Sequence, residues 1–178
     1  PMTAPAFGLL HFGRREFDDL QVDVANVLRL ARRADTLGYQ RFWLTQHFGR
    51  DELWGDPVPL LTLLAASTRK IRIGTGGILL RSCVIANLAS TFKFLSSMFP
   101  GRIDLGVVAA RPAEDRAMAA FSRDLVDDES FEERVSRLLW VVSDPAAIPP
   151  RSNEAPAIWL LGAGSRAADL AMTLDLPY

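Results

Sequence analysis

The stretch Leu37-Gly38-Tyr39-Gln40-Arg41-Phe42-Trp43-Leu44-Thr45-Gln46-His47-Phe48 decides the fold. Upstream of it, Val24, Val27, Leu28, Ala31, Ala34 and Leu37 recur at three- and four-residue steps, the spacing that gathers apolar side chains on one face of a helix. Gly38 follows the last of them, where a glycine in the left-handed conformation ends a helix. Phe42-Trp43-Leu44 then forms a short, continuously apolar strand, which predicts burial on both faces, as in a parallel sheet covered by helices. In α/β proteins the chemistry gathers outside the C-terminal ends of such strands. Here that position holds Gln46 and His47.

Outward from this centre the pattern repeats. Phe7 to Phe12 reads as a first buried strand, and the polar loop from Gly13 to Gln21 leads to the helix, with Asp18 or Asp19 as its N-cap. After His47, the run Gly49 to Pro59 is rich in charge, Gly and Pro, carries Trp54, and is long enough to be a lid or binding loop. Leu60 to Ser67 reads as a short helix. Lys70 to Leu80 is a strand interrupted by Gly74, Gly76 and Gly77, and glycine inside a strand marks close approach of a ligand or another backbone. Leu88, Phe92, Leu95 and Phe99 set a helix from Ile85 that Pro100-Gly101 stops. Ile103 to Val108 is the next strand, and Arg111 to Asp128 is charged, part helix and part loop. A helix carrying Phe131, Val135, Leu138 and Val142 follows. Ser143 to Pro156, with four prolines and no periodicity, reads as a linker between units. Ile158 to Leu161 is a fifth strand, Gly162-Ala163-Gly164-Ser165 a tight turn, and Arg166 to Leu174 a helix. Leu176-Pro177-Tyr178 looks like the entry to a sixth strand. Alternation of this kind gives a parallel α/β architecture, either an open doubly wound sheet or a barrel of βα units.

Composition narrows the function classes. The formal net charge of −1 comes from 20 basic and 21 acidic residues, scattered along the chain, so no nucleic-acid partner is expected. No apolar run approaches the ~20 residues of a membrane span, and the start Pro1-Met2-Thr3-Ala4-Pro5 lacks a secretory signal, so the cytoplasm is the expected compartment. Cys83 is alone, and His11 and His47 are the two histidines, which leaves no metal-ligand spacing.

The run from Ala34 to His47 resembles the A-E-x-L-G-Y-x-R-Y-W-x-x-E-H segment of bacterial luciferase-like flavin monooxygenases. Three further stretches agree in order: Ile71 to Leu80, Phe99-Pro100-Gly101-Arg102-Ile103-Asp104-Leu105-Gly106, and Ile158 to Gly162 with the closing Leu176-Pro177-Tyr178. The resemblance covers almost the whole chain. It implies one domain over residues 1–178, an incomplete (β/α)8 TIM barrel of about five to six βα units that lacks the C-terminal ones. It also implies reduced FMN, or in some relatives the deazaflavin F420, at the C-terminal mouth, where the flavin activates oxygen.

His47 matches the family histidine at the end of the second strand, which implies proton transfer or stabilisation of the oxygen-activated flavin, a role that an imidazole suits near neutrality. Gln46 replaces the usual Glu beside it. Thr75, Gly76 and Gly77 match the strand that passes the flavin ring. Val108, at the end of the fourth strand, and Arg111 just beyond it are further cofactor-binding candidates that the resemblance implies. Ala109 stands where many relatives carry an arginine that helps to hold the anionic cofactor, and Arg111 lies two positions on. Gly162, Gly164 and Ser165 match the turn that receives the FMN phosphate, where amides opening the next helix favour an anion. Ser90 stands where a Glu is usual, and Cys83 reads as an incidental thiol. The expected activity is a flavin-dependent monooxygenase acting on a small organic substrate, with a flavin reductase supplying FMNH2. The alternative is a non-catalytic, shortened relative, a structural or accessory subunit that binds a flavin, another apolar ligand or no cofactor. A homodimer or higher oligomer is expected, with an apolar interface beside the Phe7–Phe12 or Ile158–Leu161 strand and including Tyr178.

Overall fold

The computed structural model describes residues 6–49, 51–110 and 129–178. The charged run 111–128, Arg111 included, lies outside the described residues.

Helix α1 spans Leu20–Leu37. Asp19 is its N-cap, and Oδ1 accepts from the amides of Gln21 at 2.8 Å and Val22 at 3.4 Å. Gly38 closes it at φ 83°, a left-handed angle that a β-carbon would disfavour. Five strands follow in turn: β1 Gly8–His11, β2 Arg41–Leu44, β3 Arg72–Leu79, β4 Ile103–Val108 and β5 Ala157–Leu161. Helices α2 Val58–Ser67, α3 Ile85–Met98 and α4 Phe131–Ser143 lie between the later strands, and α5 Ser165–Thr173 follows β5.

All neighbouring strands are parallel and their spatial order is the chain order, β1-β2-β3-β4-β5. A doubly wound sheet reverses its order at a switch point. This one does not reverse, so right-handed crossovers lay every helix on the same face. The sequence left open sheet and barrel undecided, and the strand order chooses the barrel.

The core lies between that face and the helices. Phe42, Leu44, Ile73, Leu105, Val107, Ile158 and Leu160 from the strands are buried with Ala31, Leu61, Phe92 and Leu138 from the helices. Arg102 ties α2 to this layer. Its guanidinium donates to the carbonyls of Ile71, Ala65 and Thr68 and to the Thr68 hydroxyl, closing the C-terminal end of α2.

The opposite face corrects one sequence expectation. Strand β2 is not buried on both faces: Phe42 and Leu44 are inside, whereas Arg41 and Trp43 are only half-buried. Trp159, in the equally apolar strand β5, is half-buried too. These residues line the inner face, where Leu10 stays 45% and Phe12 55% exposed. At the N-terminal end of that face Asp104 is fully buried and accepts from Arg41 Nε at 3.2 Å, Trp43 Nε1 at 3.0 Å, and Arg72 Nε and Nη2 at 2.8 and 2.5 Å. One carboxylate thereby joins three strands.

The proline-rich run after α4 is no free linker. The fully buried Lys93 of α3 donates through Nζ to the carbonyls of Asp144 and Ile148, and Ser90 Oγ donates to the Pro149 carbonyl at 2.7 Å. The last residues meet β5: the Leu160 amide donates to the Pro177 carbonyl at 3.0 Å, although Leu176–Tyr178 forms no strand of its own.

Candidate active site

The C-terminal ends of the strands carry two groups of candidate residues. On the β1–β2 side, His47 is exposed, and its ring lies nearly parallel to Phe12, with centroids 6.4 Å apart and an interplanar angle of 15°. The His47 imidazole makes no hydrogen bond with a described residue.

Gln46 points the other way. Its Nε2 donates to the Gly55 carbonyl and its Oε1 accepts from the Leu79 amide, both at 2.9 Å. One acceptor and one donor fix the orientation of the amide. The side chain therefore clips the β2–α2 loop to the end of β3. It does not orient His47.

Trp54 completes that loop by donating Nε1 to the Thr45 carbonyl at 2.9 Å and lying 5.8 Å from the His11 ring. His11 accepts the Gly13 amide at Nδ1, and burial lowers its pKa despite the nearby Glu16 carboxylate. Gln46, Phe48, Gly55 and Val58 wall a cavity of about 560 Å³ against Ile78 and the N-terminal half of α3. Burial raises the Cys83 thiol there to about 11, against a smaller opposing effect of Arg134, which leaves it an inert thiol.

Strand β3 is irregular between Thr75 and Ile78. Thr75 is fully buried, and its hydroxyl donates to the Gly106 carbonyl and accepts the Gly106 amide, at 3.0 and 3.1 Å. That hydroxyl is spent inside the sheet. A β-carbon on Gly76 would come within 2.8 Å of Leu10 and 3.1 Å of Trp43, and one on Gly77 within 3.0 Å of the Gly106 carbonyl. Close packing of the inner face thus accounts for both glycines.

On the β4–β5 side, Val108 pairs with Leu79 and Leu161 in register, which sets it beside the turn Gly162–Ser165. Gly162, Gly164 and Ser165 are exposed, and nothing lies within 4 Å of where a β-carbon on Gly164 would be. Gly164 is the N-cap of α5 and provides no side-chain cap, so the first-turn amides stay open to an anion. Beside them Arg81, Ala109, Phe131, Glu132, Arg166 and Ala167 line a cavity of about 220 Å³. An anionic group fits this end: open amides and two guanidinium groups face one carboxylate, with the buried Phe131 behind them. The sequence reading missed Arg81 and Arg166. Their position just beyond β3 and β5 was the available signal.

Residues 6–178 match the family model for luciferase-like monooxygenases. The chain belongs to that family. It is 35% identical to the N-acetyl-S-alkylcysteine monooxygenase of Bacillus subtilis (strain 168), over 96% of this chain and 53% of the relative. The crystal structure of apo-MsnO8 superposes with a TM-score of 0.85 at 32% identity, over 97% of this chain and 54% of that one. The oxygenating constituent of 3,6-diketocamphane monooxygenase from the CAM plasmid of Pseudomonas putida, solved with FMN, shares the fold. Its TM-score is 0.78 at 17% identity, over 98% of this chain and 56% of that one. The chain spans about half the length of these relatives. Its five-stranded parallel sheet is an incomplete barrel of the luciferase-like type.

Proposed function

We propose that this chain works as a luciferase-like, flavin-dependent monooxygenase on a small organic substrate, with FMN as the flavin and a reductase as its source of reduced cofactor. The observation that carries the reading is the C-terminal end of the sheet. Open amides of α5 and the turn Gly162, Gly164 and Ser165 stand at one side, and an unengaged imidazole, His47, stands at the other. Bound reduced FMN would supply the electrons that activate oxygen.

In this reading the turn and the α5 amides hold the phosphate, and Val108 and Gly76 border the ring. His47 donates or accepts a proton through whichever ring nitrogen faces the substrate, because neither is engaged by a described residue. The Phe12 ring lies nearly parallel to the imidazole beside it. Thr75 and Gly77 support the ring site from within the sheet.

A visible-absorption titration of the protein with FMN tests the cofactor. A perturbed flavin spectrum that saturates at one FMN per chain is expected, and an unperturbed spectrum at millimolar protein would overturn the reading. One observation favours binding without turnover: the Gln46 amide is engaged at both ends, so no carboxylate backs His47. Oxygen uptake by the protein with photoreduced FMN and a thioether or ketone separates the two. Uptake with an oxidised product means catalysis, and binding without product means an accessory role.

A further inference from the structure

Arg81 lies in the 3₁₀ turn Leu80–Ser82 that follows β3 and is half-buried. Among the described residues it makes no hydrogen bond and no ion pair. Its neighbours in that turn are firmly held: the buried Arg134 donates to the carbonyls of Leu80 and Cys83. Arg81 therefore projects from a fixed backbone into the 220 Å³ cavity that Ala109 and the first turns of α4 and α5 complete.

Across that cavity Arg166 is largely exposed and pairs with Glu132 at 3.6 Å. The charged lining is thus two guanidinium groups against one carboxylate, a net charge of +1. A guanidinium partly withdrawn from water without an acceptor is unfavourable, and a doubly charged oxyanion relieves it with paired N–H donors. Two first-turn residues of α5, Arg166 and Ala167, belong to the same wall, so the free backbone amides and the guanidinium groups converge on one space. Such a site selects a terminal phosphomonoester, whose oxygens accept from several directions at once.

We propose that Arg81, assisted by Arg166, clamps the terminal phosphate of the flavin, supplying the positive charge that Ala109 cannot. This assignment rests on the FMN reading above and adds to it the residues that distinguish FMN from unphosphorylated riboflavin. Glu132 acts against the ligand, because it competes for Arg166.

Equilibrium binding of FMN and riboflavin, followed by flavin fluorescence, tests this without any turnover. The wild-type chain is expected to bind FMN more tightly than riboflavin. Arg81→Gln should weaken FMN about tenfold and leave riboflavin unchanged, as expected for loss of one charge-assisted contact. Arg166→Gln, at an exposed position, should weaken FMN about threefold. Glu132→Gln should tighten FMN about threefold by releasing Arg166. Because the Arg81 side chain makes no hydrogen bond or ion pair with a described residue, circular dichroism of the variant should match the wild type. FMN binding that survives Arg81→Gln within twofold overturns the clamp and leaves the flavin reading standing. Failure of the wild type to bind either flavin overturns both.

Discussion

At the residue scale the two neighbours Gln46 and His47 do opposite work. The Gln46 amide needs a donor at one end and an acceptor at the other, because it meets the Gly55 carbonyl and the Leu79 amide together. Gln46→Glu keeps the contact to Leu79 but sets a carboxylate oxygen against the Gly55 carbonyl, and the expected cost is about 1–3 kcal/mol at neutral pH. A carboxyl facing a carbonyl is stabilised when protonated, so its folded pKa rises. The deficit should therefore shrink as the pH falls through that value, and urea denaturation of both proteins between pH 4 and 8 will show it. A deficit independent of pH would mean that the loop moves away. His47, by contrast, makes no hydrogen bond with a described residue, and its ring lies near the exposed Phe12. His47→Ala should leave the urea midpoint within about 0.5 kcal/mol of wild type while flavin-dependent substrate oxidation falls by about 10²-fold or more. Unchanged oxidation removes His47 from the chemistry, and an unfolded variant assigns it a structural role. The position of His47 past β2 was legible from one apolar run and its ending. The clip made by Gln46 was not, since Gly55 and Leu79 lie far along the chain and nothing local announces them. Thr75 could be read as lining the mouth for the same reason: its engagement with Gly106 exists only once β3 and β4 are paired.

At the element scale the helices were the most legible, because capping is local. Asp19, Gly38 and Pro100-Gly101 bound α1 and α3 where spacing placed them, within the residue or two by which helix ends vary. What holds the elements to one another was hidden. Asp35, on α1, accepts the backbone amides of Arg69, Lys70 and Ile71 at 2.8, 3.0 and 2.7 Å and thereby seats the turn between α2 and β3. Burial pushes its pKa up, but the three amides and Arg102 outweigh that, so the net shift is downward. A carboxylate with a lowered folded pKa contributes stability above its unfolded value near 3.8 and loses it as the pH falls through the folded one. Asp35→Asn should therefore destabilise the protein at pH 6 and much less below pH 3, and thermal melts across that range will test it. His11 adds a second acid limb of the same sign. Its pKa is lowered mainly by burial, so the unfolded chain binds a proton that the folded chain refuses as the pH drops below about 6.5.

At the scale of the whole molecule the parallel alternation was legible and the state of the inner face was not. An apolar run says that a strand is sticky on both sides, but only the strand count says whether both sides are covered. Five strands in chain order leave Phe7, Leu10 and Phe12 at 63, 45 and 55% exposed beside β1, whose outer edge is unpaired among the described residues. The edge at β5 differs, since Leu176–Tyr178 already lies against it and the Tyr178 hydroxyl donates to the Gly162 carbonyl. Exposed apolar surface next to an open edge favours association. A dimer or higher oligomer that buries β1 is the expected state, and light scattering at micromolar concentration checks it. A stable monomer would refute the prediction.

The same inner face carries its own reporter. Trp43 and Trp159 meet edge to face with centroids 5.2 Å apart, and the Arg41 guanidinium lies 4.6 Å above the Trp159 ring. Trp140 sits on the outer helix layer, 63% exposed. Anything that covers the concave side should shift the emission of Trp43 and Trp159 to the blue and leave that of Trp140 unchanged, with Trp54 of the β2–α2 loop as the fourth indole. Ordinary tryptophan fluorescence, with no label attached, can thus follow the open side of this barrel being closed.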